Sequence, residues 1–128
     1  MSILFVEDDN FYARILKEML MDFGLEAFVV NSTQEALSSN ISSYDVAIID
    51  MMLPNDPNIT GISPEESRAG YHSGVALARR FRQKEPKFPI ILFSGYFGNI
   101  EGESWARDNG IPFFSKDDGP RALIYCLQ

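Results

Sequence analysis

Five short, mainly apolar runs, each stopping at a polar residue, constrain this chain more than any other feature. They occupy residues 3–6, 25–30, 46–49, 90–93 and 111–114. Runs of this length without polar alternation suit strands buried on both faces, as the strands of a parallel sheet are. Helical spacing separates them. Phe11, Ile15, Met19 and Phe23 recur after the first run with Leu16 and Leu20 beside them, and Gly24 stands where a helix stop is expected. Ser32 with Glu35 has the form of a capping box opening a short helix through Ala36 and Leu37. Residues 74–82 read as a helix that packs through Val75, Leu77 and Ala78 and turns Arg79, Arg80 and Arg82 to water, and residues 122–127 as a terminal helix. Between Ser94 and Gly110 several glycines place the expected helix late, from about Glu103. This alternation argues for an α/β fold, a doubly wound five-stranded parallel sheet with helices on both faces.

The length, 128 residues and 14.4 kDa, fits one compact domain, here residues 1–128. With 45% hydrophobic and 23% charged residues the chain has enough apolar area for a core, which argues against disorder or a coiled coil. Acidic side chains outnumber basic ones by 18 to 11, and the net charge of -7 opposes docking to nucleic-acid phosphates or to an anionic membrane. No apolar run is long enough to span a bilayer. Cys126 is the only cysteine, so no internal disulfide or cysteine-based metal site can form, and a reducing compartment follows. The first residues turn acidic after Val6 without the pattern of a secretion signal, and a cytoplasmic location is expected.

The polar residues that end the runs carry the chemistry. In an open parallel sheet, ligands bind beyond the carboxyl ends of the strands, and Glu7, Asp8, Asp50, Ser94 and Lys116 all fall at such ends. Taken singly, each has an ordinary explanation: acids at a helix start, a turn cap, a loop serine, a solvated lysine. Taken together, three carboxylates in one cleft would repel unless a cation neutralised them, and an all-oxygen set suits Mg²⁺. Lys116 adds a fixed positive charge and Ser94 a hydroxyl, the groups needed around a phosphoryl oxygen.

With these residues in place, the chain resembles the receiver domain of two-component response regulators over nearly its whole length. The matching segments are Leu4-Phe5-Val6-Glu7-Asp8-Asp9, Tyr44-Asp45-Val46-Ala47-Ile48-Ile49-Asp50-Met51-Met52-Leu53-Pro54, Ile91-Leu92-Phe93-Ser94-Gly95 and Phe113-Phe114-Ser115-Lys116. The resemblance implies a flavodoxin-like sheet of order 2-1-3-4-5. It also implies a signalling domain, not a turnover enzyme, with Asp50 accepting a phosphoryl group from a sensor histidine kinase or histidine phosphotransfer protein. Glu7, Asp8, Asp50 and the backbone carbonyl of Met52 would hold Mg²⁺, while Asp9 would belong to the helix start. Lys116 would pair with the phosphoryl group, Ser94 would turn toward it, and Phe113 would be the switch aromatic that reshapes a protein-binding or homodimer surface. Bulky Met52 and Tyr96, flanking the phosphoryl group, imply slow loss of phosphate.

Four features depart from the family pattern, one being the helix weakened by glycines between Ser94 and Gly110. Asp117 follows Lys116 where a proline is usual, so the bond between them is expected either as trans with a shifted loop or as a strained cis bond. The last helix is short. Residues 55–73, rich in Pro, Asn, Gly and Ser, form a long insertion between the third strand and the next helix. The insertion reads as a mobile surface loop, with a lid or partner-recognition element as its alternative. His72 at its end reads as an exposed loop residue. A phosphorylation-independent interaction module on the same fold is the alternative function. An aspartyl-nucleophile phosphatase is a remote third reading, because Met52 stands where that chemistry wants a second carboxylate.

Overall fold

The computed structural model describes residues 1–95 and 100–128. Five strands, β1 (Ser2–Val6), β2 (Glu26–Val30), β3 (Val46–Asp50), β4 (Ile90–Ser94) and β5 (Phe113–Ser115), form one sheet in the order β2-β1-β3-β4-β5. Every neighbouring pair is parallel. Around it lie α1 (Asn10–Asp22), α2 (Thr33–Ser38), α3 (Pro57–Thr60), α4 (Ser73–Lys84), α5 (Ile100–Asp108) and α6 (Arg121–Leu127).

Side chains alternate across each strand, so the sheet builds two cores. Leu4, Val6, Ala47, Ile49, Ile90 and Leu92 pack with Ala36 of α2, Val75, Leu77, Ala78 and Phe81 of α4, and Ala106 of α5. Ile3, Phe5, Val46, Ile48, Ile91 and Phe93 pack with Ala13, Leu16 and Leu20 of α1 and Leu123, Ile124 and Leu127 of α6. Both faces of β1, β3 and β4 are thereby shut off from water, which is why these strands read as unbroken apolar runs.

Helix α1 uses only part of its apolar surface against the sheet. Phe11, Ile15 and Phe23 are exposed, and the stripe that meets the sheet is Ala13, Leu16 and Leu20. Two apolar stripes with the same period share this helix, and the small Ala13 marks the one that can approach the sheet closely. Helix α5 begins at Ile100, earlier than the glycines suggested, with Glu101 and Glu103 in its first turn where the helix dipole favours acids.

The insertion, expected as a mobile surface loop, folds against the body of the protein. Asp56 caps α3 by accepting from Asn58 N–H at 3.0 Å, and Gly61 ends it in the left-handed region at φ 73°. Asn55 donates to the Ile62 carbonyl at 3.0 Å and accepts from the Thr60 hydroxyl at 2.7 Å, which drives Ile62 into full burial. Arg80 of α4 clasps Glu66 through two 3.0 Å hydrogen bonds, and His72 is half-buried just before α4.

Candidate functional site

The carboxyl ends of β1 and β3 lie side by side in the sheet, and this brings Glu7, Asp8 and Asp50 together. One oxygen from each carboxylate lies within 4.8 Å of the others. Glu7 and Asp50 are buried and Asp8 is exposed, so the cluster opens to water on one side. Asp9 is not part of it. Its Oδ1 accepts from the N–H groups of Phe11 and Tyr12, both at 3.1 Å, which makes it the N-cap of α1 as expected.

The backbone at Glu7 is pinned from β2. Glu7 N–H donates to the Val30 carbonyl at 2.9 Å, and the Asn31 side-chain amide donates at 2.9 Å to both the Glu7 carbonyl and Asn10 Oδ1. Asn31 was not among the residues singled out from sequence. Its signal was available, since it is the polar residue that ends the second apolar run.

Lys116 follows β5 directly and reaches across β4. Its Nζ donates to Glu7 Oε1 at 2.5 Å and lies 3.4 Å from Asp50 Oδ2. Burial pulls the Lys116 ammonium toward its neutral form, but the charges of Asp50 and Glu7 outweigh this and raise its pKa. Burial pushes the Glu7 carboxyl up to about 8, with the neighbouring Asp50 adding to the shift and Lys116 opposing it. Burial also raises Asp8, with the charge of Asp50 in support. Glu7 Oε2 is buried with no hydrogen-bond partner. A buried carboxylate oxygen without a donor, beside two further carboxylates, is the environment a divalent cation completes. The all-oxygen donor set fits Mg²⁺.

Ser94 is buried at the end of β4, in register with Ser115. Phe113 pairs in register with Leu92, two residues before Ser94, so Ser94 and Phe113 project to the same face of the sheet. The Phe113 ring is half-buried at the edge of the core built by α2, α4 and α5. The Met52 side chain stands partly exposed two residues beyond Asp50. Tyr96 lies outside the described residues. The chain has no cis peptide bond among the described residues, so Lys116 joins Asp117 in trans. The chain turns there into a short 3₁₀ segment, Lys116–Asp118, capped by the Ser115 hydroxyl, which accepts from Asp117 N–H at 3.2 Å.

Two glycines leave room for this geometry. A Cβ on Gly74 would meet the Asp50 carbonyl oxygen at 2.2 Å, and one on Gly95 would meet Lys116 Cδ at 3.3 Å. Gly74 therefore lets α4 start directly against the end of β3, and Gly95 lets the Lys116 stem pass. No helix among the described residues is long and apolar enough to cross a membrane.

No family model matches the chain. Solved structures do resemble it. A CheY-like response regulator receiver domain protein from Methanospirillum hungatei JF-1 superposes with a TM-score of 0.74 at 22% identity, over 98% of this chain and 89% of that one. The BeF3-activated N-terminal receiver domain of RstA from Klebsiella pneumoniae gives 0.73 at 20% identity, over 99% and 95%. A response regulator protein from Burkholderia pseudomallei with a phosphorylated aspartic acid, calcium ion and citrate gives 0.69 at 18%, over 99% of this chain and 66% of that one. The sheet order, the helices on both faces and these superpositions agree: the chain has the CheY-like, flavodoxin-type fold of response regulator receiver domains.

Proposed function

We propose that the chain is a phosphoacceptor of a two-component signalling system, with Asp50 as the acceptor. A carboxylate oxygen of Asp50 attacks the phosphorus of a phosphohistidine on a kinase or phosphotransfer partner. The P–N bond breaks, its electron pair stays on the imidazole nitrogen, which takes up a proton, and an aspartyl phosphate forms. Glu7, Asp8, Asp50 and the Met52 carbonyl would hold Mg²⁺, which when bound offsets the charge that gathers on the phosphoryl oxygens. Lys116 exchanges its contacts with Glu7 and Asp50 for a phosphoryl oxygen, and the Ser94 hydroxyl donates to another. As Ser94 turns, Phe113 on the same face moves into the space it leaves and changes the surface formed by α5, β5 and α6. That surface meets the output partner or a second copy of the chain. The single thiol, Cys126, suits a cytoplasmic setting.

The observation that carries this reading is the convergence of three carboxylates within 4.8 Å at parallel strand ends, with the Lys116 ammonium 3.4 Å from one of them, Asp50. The test is Mg²⁺-dependent labelling by acetyl phosphate. Labelling of the wild type and its loss in Asp50→Asn support the assignment; labelling that persists in Asp50→Asn sinks it.

A further inference from the structure

Lys116 has a third neighbour that the phosphoryl chemistry does not call for. Its Nζ sits over the ring of Tyr12, 4.6 Å from the centroid, and 5.9 Å from the centroid of Phe93. The two rings touch each other, with centroids 5.9 Å apart and planes tilted by 40°. Lys116 therefore faces carboxylates on one side and an aromatic corner on the other, at distances where a ring face attracts a cation. We propose that Tyr12 is a positioning residue, whose ring face keeps the Lys116 ammonium in the cleft while it changes partners.

The local backbone explains why such support is needed. Lys116 lies one residue beyond the last paired position of a three-residue strand, and the chain turns into a 3₁₀ segment immediately after it. No proline stiffens that exit, because Asp117 follows in trans. The side chain must take its position from what it touches. A carboxylate holds an ammonium at one point and in one direction, so moving from Glu7 toward a phosphoryl group would cost Lys116 a contact before the next one forms. An aromatic face attracts over its whole area and lets the ammonium slide.

Tyr12 is itself held in place. It sits in the first turn of α1, and its N–H donates to Asp9 Oδ1 at 3.1 Å. The third acid of the Glu7-Asp8-Asp9 run thus serves the site indirectly, by fixing the helix start that aims this ring. Burial, with the negative charges of Glu7 and Asp50, pushes the Tyr12 phenol up to about 12, so the ring stays neutral at any working pH. The proposal needs the ring face and not the hydroxyl. That separates Tyr12→Phe from Tyr12→Leu.

The catalytic consequence rests on the phosphoacceptor reading, while the geometry does not, and the experiment reads both. Carbon–proton correlation spectra of the lysine side chains, with Lys116→Arg identifying the resonance, report whether the Lys116 ε-methylene protons are shifted upfield by a ring current. The rate of labelling by acetyl phosphate with Mg²⁺ reports the consequence. The expected result is an upfield-shifted Lys116 in the wild type and Tyr12→Phe that relaxes in Tyr12→Leu. Labelling should slow about tenfold in Tyr12→Leu and stay within about twofold in Tyr12→Phe. A Lys116 resonance at the ordinary lysine position in the wild type overturns the proposal, as does equal slowing by both variants. Should Tyr12→Leu fail to fold, the wild-type shift and the Tyr12→Phe rate still decide. A wild type that shows the shift but takes no label would refute the phosphoacceptor reading and leave the placement of Lys116 standing.

Discussion

Gly74 and Asp50 are in backbone contact: a Cβ on Gly74 would lie 2.2 Å from the Asp50 carbonyl oxygen and 2.8 Å from Met51 Cα, and Gly74 N–H donates to the Met51 carbonyl at 2.9 Å. The first turn of α4 therefore sets the position of the strand end that carries the central carboxylate. Neither backbone can give way cheaply, unlike the Lys116 stem beside Gly95. Gly74→Ala is expected to cost about 2–3 kcal/mol in urea denaturation and to weaken Mg²⁺ binding. Gly95→Ala meets only a flexible side chain at 3.3 Å and is expected to leave stability within about 1 kcal/mol while slowing phosphoryl labelling. Equal stability losses for the two would contradict this division.

Glu7 makes metal-free stability depend on pH in a stated direction. Its folded pKa, about 8, lies above its ordinary value of 4.5, so between these values the folded state binds the proton that the unfolded state releases. The contribution is full below pH 4.5 and is lost as pH rises toward 8. In the presence of a chelator, wild type should lose stability relative to Glu7→Gln across that window. Mg²⁺ should restore it at the upper end and do little at the lower end, where protons compete for the same carboxylate. A wild type and variant with parallel stability–pH curves would refute the assignment.

The insertion is expected to behave as packed structure. Ile62 is fully buried, so Ile62→Ala should cost about 2–3 kcal/mol, whereas a mobile loop would tolerate it without change. Arg80→Ala should cost about 1 kcal/mol and speed proteolysis within residues 64–72, because it removes both hydrogen bonds to Glu66. Urea melts and limited proteolysis distinguish the two descriptions.

How far the sequence foretold this molecule depends on which signal each part carries. The central strands were legible because burial on both faces keeps polar residues out of their interiors, and the site acids were legible because they end those runs. The face of α1 was not, since Phe11, Ile15 and Phe23 have the same period as Ala13, Leu16 and Leu20, and periodicity does not say which stripe meets the sheet. The folding of the insertion was hidden for another reason. Its anchors include one apolar residue, Ile62, and pairings of Glu66 with Arg80, Arg68 with Glu101 and the Asp56 N–H with Gln34, and none of these leaves a local pattern. Asn31 and Tyr12 matter through distant contacts with Glu7 and Lys116, which only the assembled sheet brings together.

The most direct measurement is intact-mass spectrometry of the folded chain after incubation with acetyl phosphate and Mg²⁺, wild type beside Asp50→Asn, followed by hydroxylamine, which cleaves acyl phosphates. The expected result is one phosphoryl adduct on the wild type, removed by hydroxylamine, and none on the variant or without Mg²⁺. An adduct on Asp50→Asn, or a wild type that gains none, would contradict it.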